Sequence, residues 1–272
     1  MNLSKILIVI PDYSHLNLRM AKLLLKTGVE LDIVVPYNYK LIPQFFQSFS
    51  IKAFQNAYRR RQSMEEIKLF NQKVRLIHLP FYRFLIILIK EFVIERKPLN
   101  NFFKDIIQNR LIRKIDYNRY DFVYLFDTVA YLSQVASKKH NVKNCLEVRG
   151  AHFKYSLEVN KKINTLYGTS IPDIDSIDKT EASSWWFKKL TSEPVLADFL
   201  VCYSDFHKSM YTKYSSLEEN NIITIPLSAT IAKSRQIKSR PIGGVSFVFV
   251  GNLSYVKGIP ILISAWNELF KD

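Results

Sequence analysis

Cysteine is nearly missing from this chain: Cys145 and Cys202 are the only two in 272 residues. A disulfide scaffold is thereby excluded. Both thiols sit in apolar, strand-like runs, which reads as buried cysteines in a reducing, cytoplasmic setting. Glycine (7) and proline (10) are also scarce, excluding low-complexity and collagen-like sequence. Long hydrophobic runs are lacking too. The greasiest segment, 84–93, is interrupted by Lys90 and Glu91, whereas a membrane span needs about 20 apolar residues. Near the start, Pro11-Asp12 stops the run Ile6–Ile10, short of the roughly 7–15 residues of a secretory h-region. A soluble or peripheral protein is expected. Acidic residues are outnumbered, 24 against 39 lysines and arginines, for a net charge of +15. Such a field favours anionic partners: nucleic acid, anionic lipid or phosphorylated small molecules.

What is present is a large apolar inventory, 48% of the chain, ordered in alternating periods. Lys5–Ile10 is a short β-rich run. Leu16, Met20, Leu23 and Leu24 then fall at helical spacing, with Gly28 at the stop, and Leu31–Val35 is a second continuous apolar run. Strand, helix and strand within about thirty residues make a βαβ unit, and near-continuous apolar strands imply a parallel sheet covered on both faces. Further strands are predicted at Val74–Leu79, Phe122–Phe126, Asn144–Val148, Phe199–Tyr203 and Ile222–Ile225. Helices are predicted at Ile51–Phe70, Phe81–Ile94, Phe102–Lys114, Thr128–Lys138, Ser184–Leu190 and from an N-cap at Ser204 through Lys213. The expected fold class is α/β: a doubly wound, Rossmann-like N-terminal domain over 1–228, a polar linker over 229–244, and the first βα unit of an incomplete second domain over 245–272.

That last unit carries the most specific pattern. Val245–Val250 reads as a buried strand breaking at Gly251, followed by Asn252, Lys257 and Gly258 and then a helix through Ala265, Trp266 and Leu269. A glycine at a strand end lets backbone approach a diphosphate, a helix N-terminus adds oriented N–H donors, and a lysine supplies charge for a nucleoside-diphosphate leaving group. The bland alternative is a solvated lysine after an ordinary turn.

Three passages resemble GT-B glycosyltransferases of the family-4 (group 1) type. Ile6–Pro11, Ala21–Gly28 and Leu31–Val35 are similar to the family's first βαβ unit. Ala197-Asp198 through Ser204-Asp205-Phe206, followed by Ile222–Pro226, resembles the passage that closes its N-terminal domain. Phe249-Val250-Gly251 through Lys257-Gly258, with Ala265-Trp266, resembles the first βα unit of its donor-binding domain. The resemblance implies transfer of a sugar from a nucleotide sugar to a glycan or lipid-linked acceptor, with retention of configuration. It implies no metal and no cofactor beyond the nucleotide-sugar co-substrate. The family's second glycine-rich loop and Glu-x7-Glu element are absent, since no two glutamates here are separated by seven residues. A complementing chain supplying the rest of the donor domain, or a catalytically silent binding half, therefore stands beside the enzyme reading. The family's usual arginine after the phosphate-strand glycine is Asn252 here, which shifts diphosphate contact toward Lys257.

Other candidate residues lie at the carboxyl ends of predicted strands, where open α/β sheets bind ligands. His152, in Glu147-Val148-Arg149-Gly150-Ala151-His152, matches a loop whose histidine contacts the donor sugar in family members, and Arg149 is placed to meet a phosphate or acidic acceptor. The alternative is a structural Glu147–Arg149 pair beside an exposed histidine. Asp12, Tyr13 and His15, after the first strand, are candidate cleft residues, against a plain N-cap from Ser14. Asp173-Ile174-Asp175 has the Asp-x-Asp pattern of metal-dependent transferases but lacks a leading apolar strand. No His/Cys cluster indicates zinc, so no metal is expected.

Phe81, Phe84, Leu85, Leu88, Ile89 and Phe92 form one helical face near Arg83, Lys90, Arg96 and Lys97, with Arg59-Arg60-Arg61, Arg110, Arg113 and Lys114 adding charge. Peripheral contact with an anionic membrane on its cytoplasmic face is one expectation, packing of the apolar face on the sheet the other. Aromatics at core spacing, not along a basic groove, argue against nucleic acid. A first loop without glycine argues against a nicotinamide oxidoreductase.

Overall fold

The computed structural model describes residues 4–11, 15–35, 74–78, 111–168, 185–227, 247–251 and 257–270, with 62, 65 and 170 besides. It divides into two compact units, Met1–Phe153 with Lys179–Pro226, and Lys154–Asp178 with Leu227–Asp272.

The first unit is built on seven parallel strands: β1 (Lys5–Val9), β2 (Glu30–Val34), β3 (Val74–Ile77), β4 (Phe122–Phe126), β5 (Lys143–Glu147), β6 (Phe199–Cys202) and β7 (Ile222–Thr224), in the order β3-β2-β1-β4-β5-β6-β7. Every predicted strand of this unit exists, within a residue or two of its expected ends. The reason is burial on both faces: in β1, β2, β4 and β5 every residue after the first is fully buried, so each strand had to be written as an apolar run. The chain lays down β1 to β3 outward on one side, then crosses to β4 on the other flank of β1. The switch point falls between β1 and β4.

Polar clamps set the register at the amino ends. Asp121 accepts from the Ser4 and Lys5 backbone at 2.8 and 2.9 Å, holding β1 beside β4. The Lys5 N–H is the leading cause of the lowered pKa of that carboxyl. Asp198 accepts from both the backbone and the side-chain amide of Asn144 at 2.9 Å, tying the start of β5 to β6. The Ala197-Asp198 passage thus has a structural role: a fully buried Asn144 needs these partners.

Among the described residues four α-helices belong to this unit, and a fifth lies almost wholly in the second. α1 (His15–Leu25) returns β1 to β2 and ends at Gly28, whose φ of 84° is a left-handed value that a side chain would strain. α2 (Tyr131–Lys139) follows β4, and α3 (Phe153–Tyr167) begins where the first unit gives way to the second. α4 (Trp185–Leu196) packs on α2, and α5 (Asp205–Tyr214) follows β6. α3 was not predicted, because no Ser, Thr, Asp or Asn immediately precedes it and it buries no side chain fully. α4 runs six residues past its predicted end. Pro194 sits in its last turn, where it has no N–H to donate to the carbonyl of residue 190.

Ser204 is the N-cap expected of α5: its hydroxyl accepts from the His207 N–H at 3.2 Å. Ser204→Ala is expected to cost about 1 kcal/mol, read as a shift in urea midpoint at unchanged slope.

The predicted helices at 81–94 and the start of 102–114 lie outside the described residues. So do the linker, Asp173-Ile174-Asp175 and Arg59–Arg61. Of 51–70 only residues 62 and 65 are described, both helical. The end of 102–114 is a 3-10 turn, Ile112–Lys114, and not an α-helix.

In the second unit, the expectation of a buried strand over 245–250 is overturned for its described part. Residues 247–250 join no sheet, and Phe247, Val248 and Val250 are 69%, 83% and 89% exposed. A strand is held by a neighbour's ladder bonds, and among the described residues this unit offers none. Its helix, α6 (Ile259–Leu269), does form. Trp266 bridges it to Phe247, ring centroids 5.8 Å apart, and to Phe270 at 4.5 Å. The two thiols are free and buried, as their apolar surroundings required. Among the described residues no helix is long and apolar enough to cross a membrane.

Candidate functional site at the carboxyl edge of the sheet

The last residue of β5 is a glutamate, and its side chain is fully buried. A carboxylate taken out of water must be paired and hydrogen-bonded. Glu147 meets that demand with three donors. The Arg19 Nη2 of α1 lies 3.3 Å from one oxygen, the Tyr203 hydroxyl donates to the same oxygen at 2.5 Å, and the Tyr124 hydroxyl donates to the other. Arg19 also lies over the Tyr203 ring, 4.8 Å from its centroid, and its Nη1 reaches the Pro226 carbonyl at 3.5 Å. Its Nε is buried without a hydrogen-bond partner. Burial, reinforced by the neighbouring carboxylate, pushes both tyrosine pKa values upward, so both hydroxyls stay protonated donors. With both oxygens engaged, Glu147 is a positioning group and not a free general base.

The next layer outward carries the exposed charge. Arg149 donates from its backbone N–H and its Nε to the two oxygens of Asp127, at 3.1 and 2.9 Å, and lies 5.8 Å from the Phe126 ring centroid. Its side chain is 30% exposed. The alternative of a Glu147–Arg149 pair is therefore wrong: Glu147 is saturated from inside the sheet, and Arg149 pairs with the residue that ends β4.

Two loops are fixed by single side chains. His207 accepts from the Tyr203 N–H through Nδ1 and donates from Nε2 to the Gly150 carbonyl at 2.6 Å. Since a backbone N–H only donates and a carbonyl only accepts, its ring is the neutral Nε2–H tautomer. Glu193 of α4, 2% exposed, accepts from the N–H groups of Thr128, Ala130 and Tyr131 at 2.7, 3.1 and 3.1 Å. It thereby caps α2 and holds Thr128 at its left-handed φ of 76°. Burial pushes its pKa up to about 7, against the pull of those N–H donors.

His152 is 3% exposed, which corrects the reading of an exposed histidine. Its ring stacks on Tyr214 at 5.3 Å and 9°, meets Tyr211 edge-on at 5.3 Å and touches Phe153. Asp12, Tyr13 and Asn252 lie outside the described residues. His15 opens α1. In the second unit, Gly251 has a φ of 158°, and an added Cβ would meet the Phe249 ring at 3.3 Å. Lys257 is exposed immediately before α6, and Gly258 is the N-cap of that helix at a left-handed φ of 74°. The glycine, lysine and helix start thus follow in the predicted order. Among the described residues no group of three or more acidic, histidine or cysteine side chains is placed to hold a metal. Burial raises the Cys145 pKa above the thiol range and that of Cys202 to about 12, so neither is a thiolate nucleophile at neutral pH.

No family model and no curated protein sequence matches the chain. Solved structures do resemble it. One is LpCGTa in complex with UDP, 10% identical over 84% of this chain and 54% of that one, TM-score 0.48. Another is UGT89C1 of Arabidopsis thaliana with UDP-L-rhamnose, 12% identical over 98% and 55%, TM-score 0.44. A third is a UDP-glucosyltransferase from Polygonum tinctorium capable of glucosylating indoxyl, 11% identical over 89% and 56%, TM-score 0.41. The chain spans about half the length of each. Likeness this distant does not bear on chemistry. The fold class rests on the seven-stranded parallel sheet itself.

Sequence reasoning passed over Arg19, Asp127, Tyr203, His207 and Glu193. One carried a usable signal: Arg19 interrupts a stripe whose neighbours Leu18, Met20 and Ala21 are all buried. A charge in such a position requires partners. The others are ordinary polar residues whose roles exist only once β4, β5, β6 and α4 are adjacent.

Proposed function

We propose that the chain takes part in transferring a sugar from a nucleotide sugar to a glycan or lipid-linked acceptor, with retention and without a metal or a further cofactor. The first unit binds acceptor and the second binds the donor diphosphate. The observation that carries this reading is the start of α6, where Gly258 caps the helix at a left-handed φ beside the exposed Lys257. Support also comes from the first unit. The passages similar to family-4 glycosyltransferases fall on β1–α1–β2 and on β6 with the Ser204 cap. Arg149 stands at the carboxyl edge as a partly exposed cation suited to a phosphate or acidic acceptor group.

In this reading Lys257 and the N–H groups opening α6 neutralise the leaving diphosphate, and Asn252 is a further diphosphate-binding candidate. Asp12, Tyr13 and His15 line the acceptor side. His152 contacts the donor sugar, a contact that requires the loop 149–152 to open, since its ring is now covered. The protein works at the cytoplasmic face of an anionic membrane in glycan assembly.

Calorimetric titration with UDP, GDP and ADP, run beside a donor-turnover assay, tests this. Saturable binding with turnover is expected, and Lys257→Ala is expected to weaken binding about tenfold, ~1.4 kcal/mol. Absence of binding to all three would leave a silent binding half as the correct reading.

A further inference from the structure

A concavity lies away from the carboxyl-edge cluster. An open cavity of about 580 Å³ flanks strand β3 and is bounded on its other side by residues of the segment 111–120, which leads into β4. β3 stands four positions from β5 in the sheet, which at about 4.8 Å per strand is roughly 19 Å from Glu147. Small-molecule sites span about 300–1,000 Å³, so the volume is that of a ligand and not of a trapped water.

Its wall combines apolar and cationic groups. Leu76, Ile77 and Leu111 contribute aliphatic surface, and Arg75, Lys114 and Arg119 contribute charge. Arg75 is held in place from behind. Its Nε donates to Asp32 at 3.1 Å, and its Nη2 donates to Asp32 and to the Tyr120 hydroxyl. Asp32 is 2% exposed, whereas the Arg75 side chain is half exposed. The buried carboxylate fixes one edge of the guanidinium and leaves Nη1 uncommitted among the described residues. Lys114 and Arg119 are exposed and form no ion pair among the described residues. The one acid in the wall, Asp116, accepts from the Asn118 N–H. A pre-aimed guanidinium with two unpaired cations around one volume matches a doubly charged group, and the aliphatic wall matches an apolar body attached to it.

We propose that this cavity binds a phosphate monoester carried on an apolar or aromatic body. The ester is either a soluble metabolite or the headgroup of an anionic lipid. The chemistry recognised is the same in both cases.

Titration of the full chain with phenyl phosphate tests the site. Saturable binding in the sub-millimolar range is expected, weakened about fivefold or more by Lys114→Gln and by Arg119→Gln. Arg113→Gln removes the same charge from the same turn but lies outside the wall, and should change affinity less than twofold. All three positions are exposed, so folding is preserved, which circular dichroism checks. A source is assigned by adding phosphatidic acid vesicles. Displacement of phenyl phosphate in a Lys114-dependent manner assigns a lipid headgroup, and persistence of the bound ester assigns a soluble one. Failure of phenyl phosphate to saturate overturns the proposal. An equal loss in Arg113→Gln and Lys114→Gln also overturns it, since that result reports only the general positive field.

Discussion

Glu147→Ala is expected to lower the unfolding free energy by about 3–5 kcal/mol, because it strands a buried arginine. Arg19 is 8% exposed, its Nε already lacks a partner, and its Nη2 would lose the carboxylate. The Tyr124 and Tyr203 hydroxyls would lose their acceptor in the same step. Most of this cost comes from uncompensated polarity and not from lost packing, which makes a second substitution informative. Arg19→Met in the Glu147→Ala background removes the stranded charge and keeps a flexible apolar stem. The double variant should recover part of the loss, so the two effects should be strongly non-additive. Urea unfolding of the single and double variants measures this. Strict additivity would mean that Arg19 and Glu147 do not depend on each other, and the account of the carboxyl-edge cluster would fail.

A pH-dependent effect of comparable size is expected from Glu193. Burial raises its folded-state pKa to about 7, from 4.5 when exposed. Between those values the folded chain binds more protons than the unfolded chain, so stability falls as pH rises through that window and levels off above it. The full offset is on the order of 3 kcal/mol. Glu193→Gln cannot ionise and should lose this part of the slope, seen as a difference between wild type and variant in urea midpoints from pH 4.5 to 7.5. An unchanged slope would show that the carboxyl is not desolvated. The same group holds the loop 128–131 beside Asp127, the carboxylate that pairs with Arg149.

The strands were legible because a doubly covered parallel sheet leaves its strands no alternative to continuous apolar sequence, and turn chemistry at Gly28 and Ser204 marked two helix ends. The run 247–250 shows the limit of that logic. It has strand composition, but composition supplies no neighbour, and a strand exists only as part of a ladder. α3 fails in the other direction, forming without the cap or buried stripe that announces a helix.

The candidate site divides along the same line. Arg149 and the glycine-framed lysine before α6 were visible because glycine, lysine and strand ends are local features. The partners of Arg149 were not. Choosing Asp127 over Glu147 depends on β4 lying beside β5, and on Arg19, Tyr124 and Tyr203 reaching Glu147 first from three separate elements. Local order and hydropathy along the chain decided the sheet. Long-range pairing of buried charges, at separations of 128 residues for Arg19 and Glu147 and 63 for Ala130 and Glu193, was decided only in the folded structure, because a desolvated charge takes whichever partner the packing brings within reach.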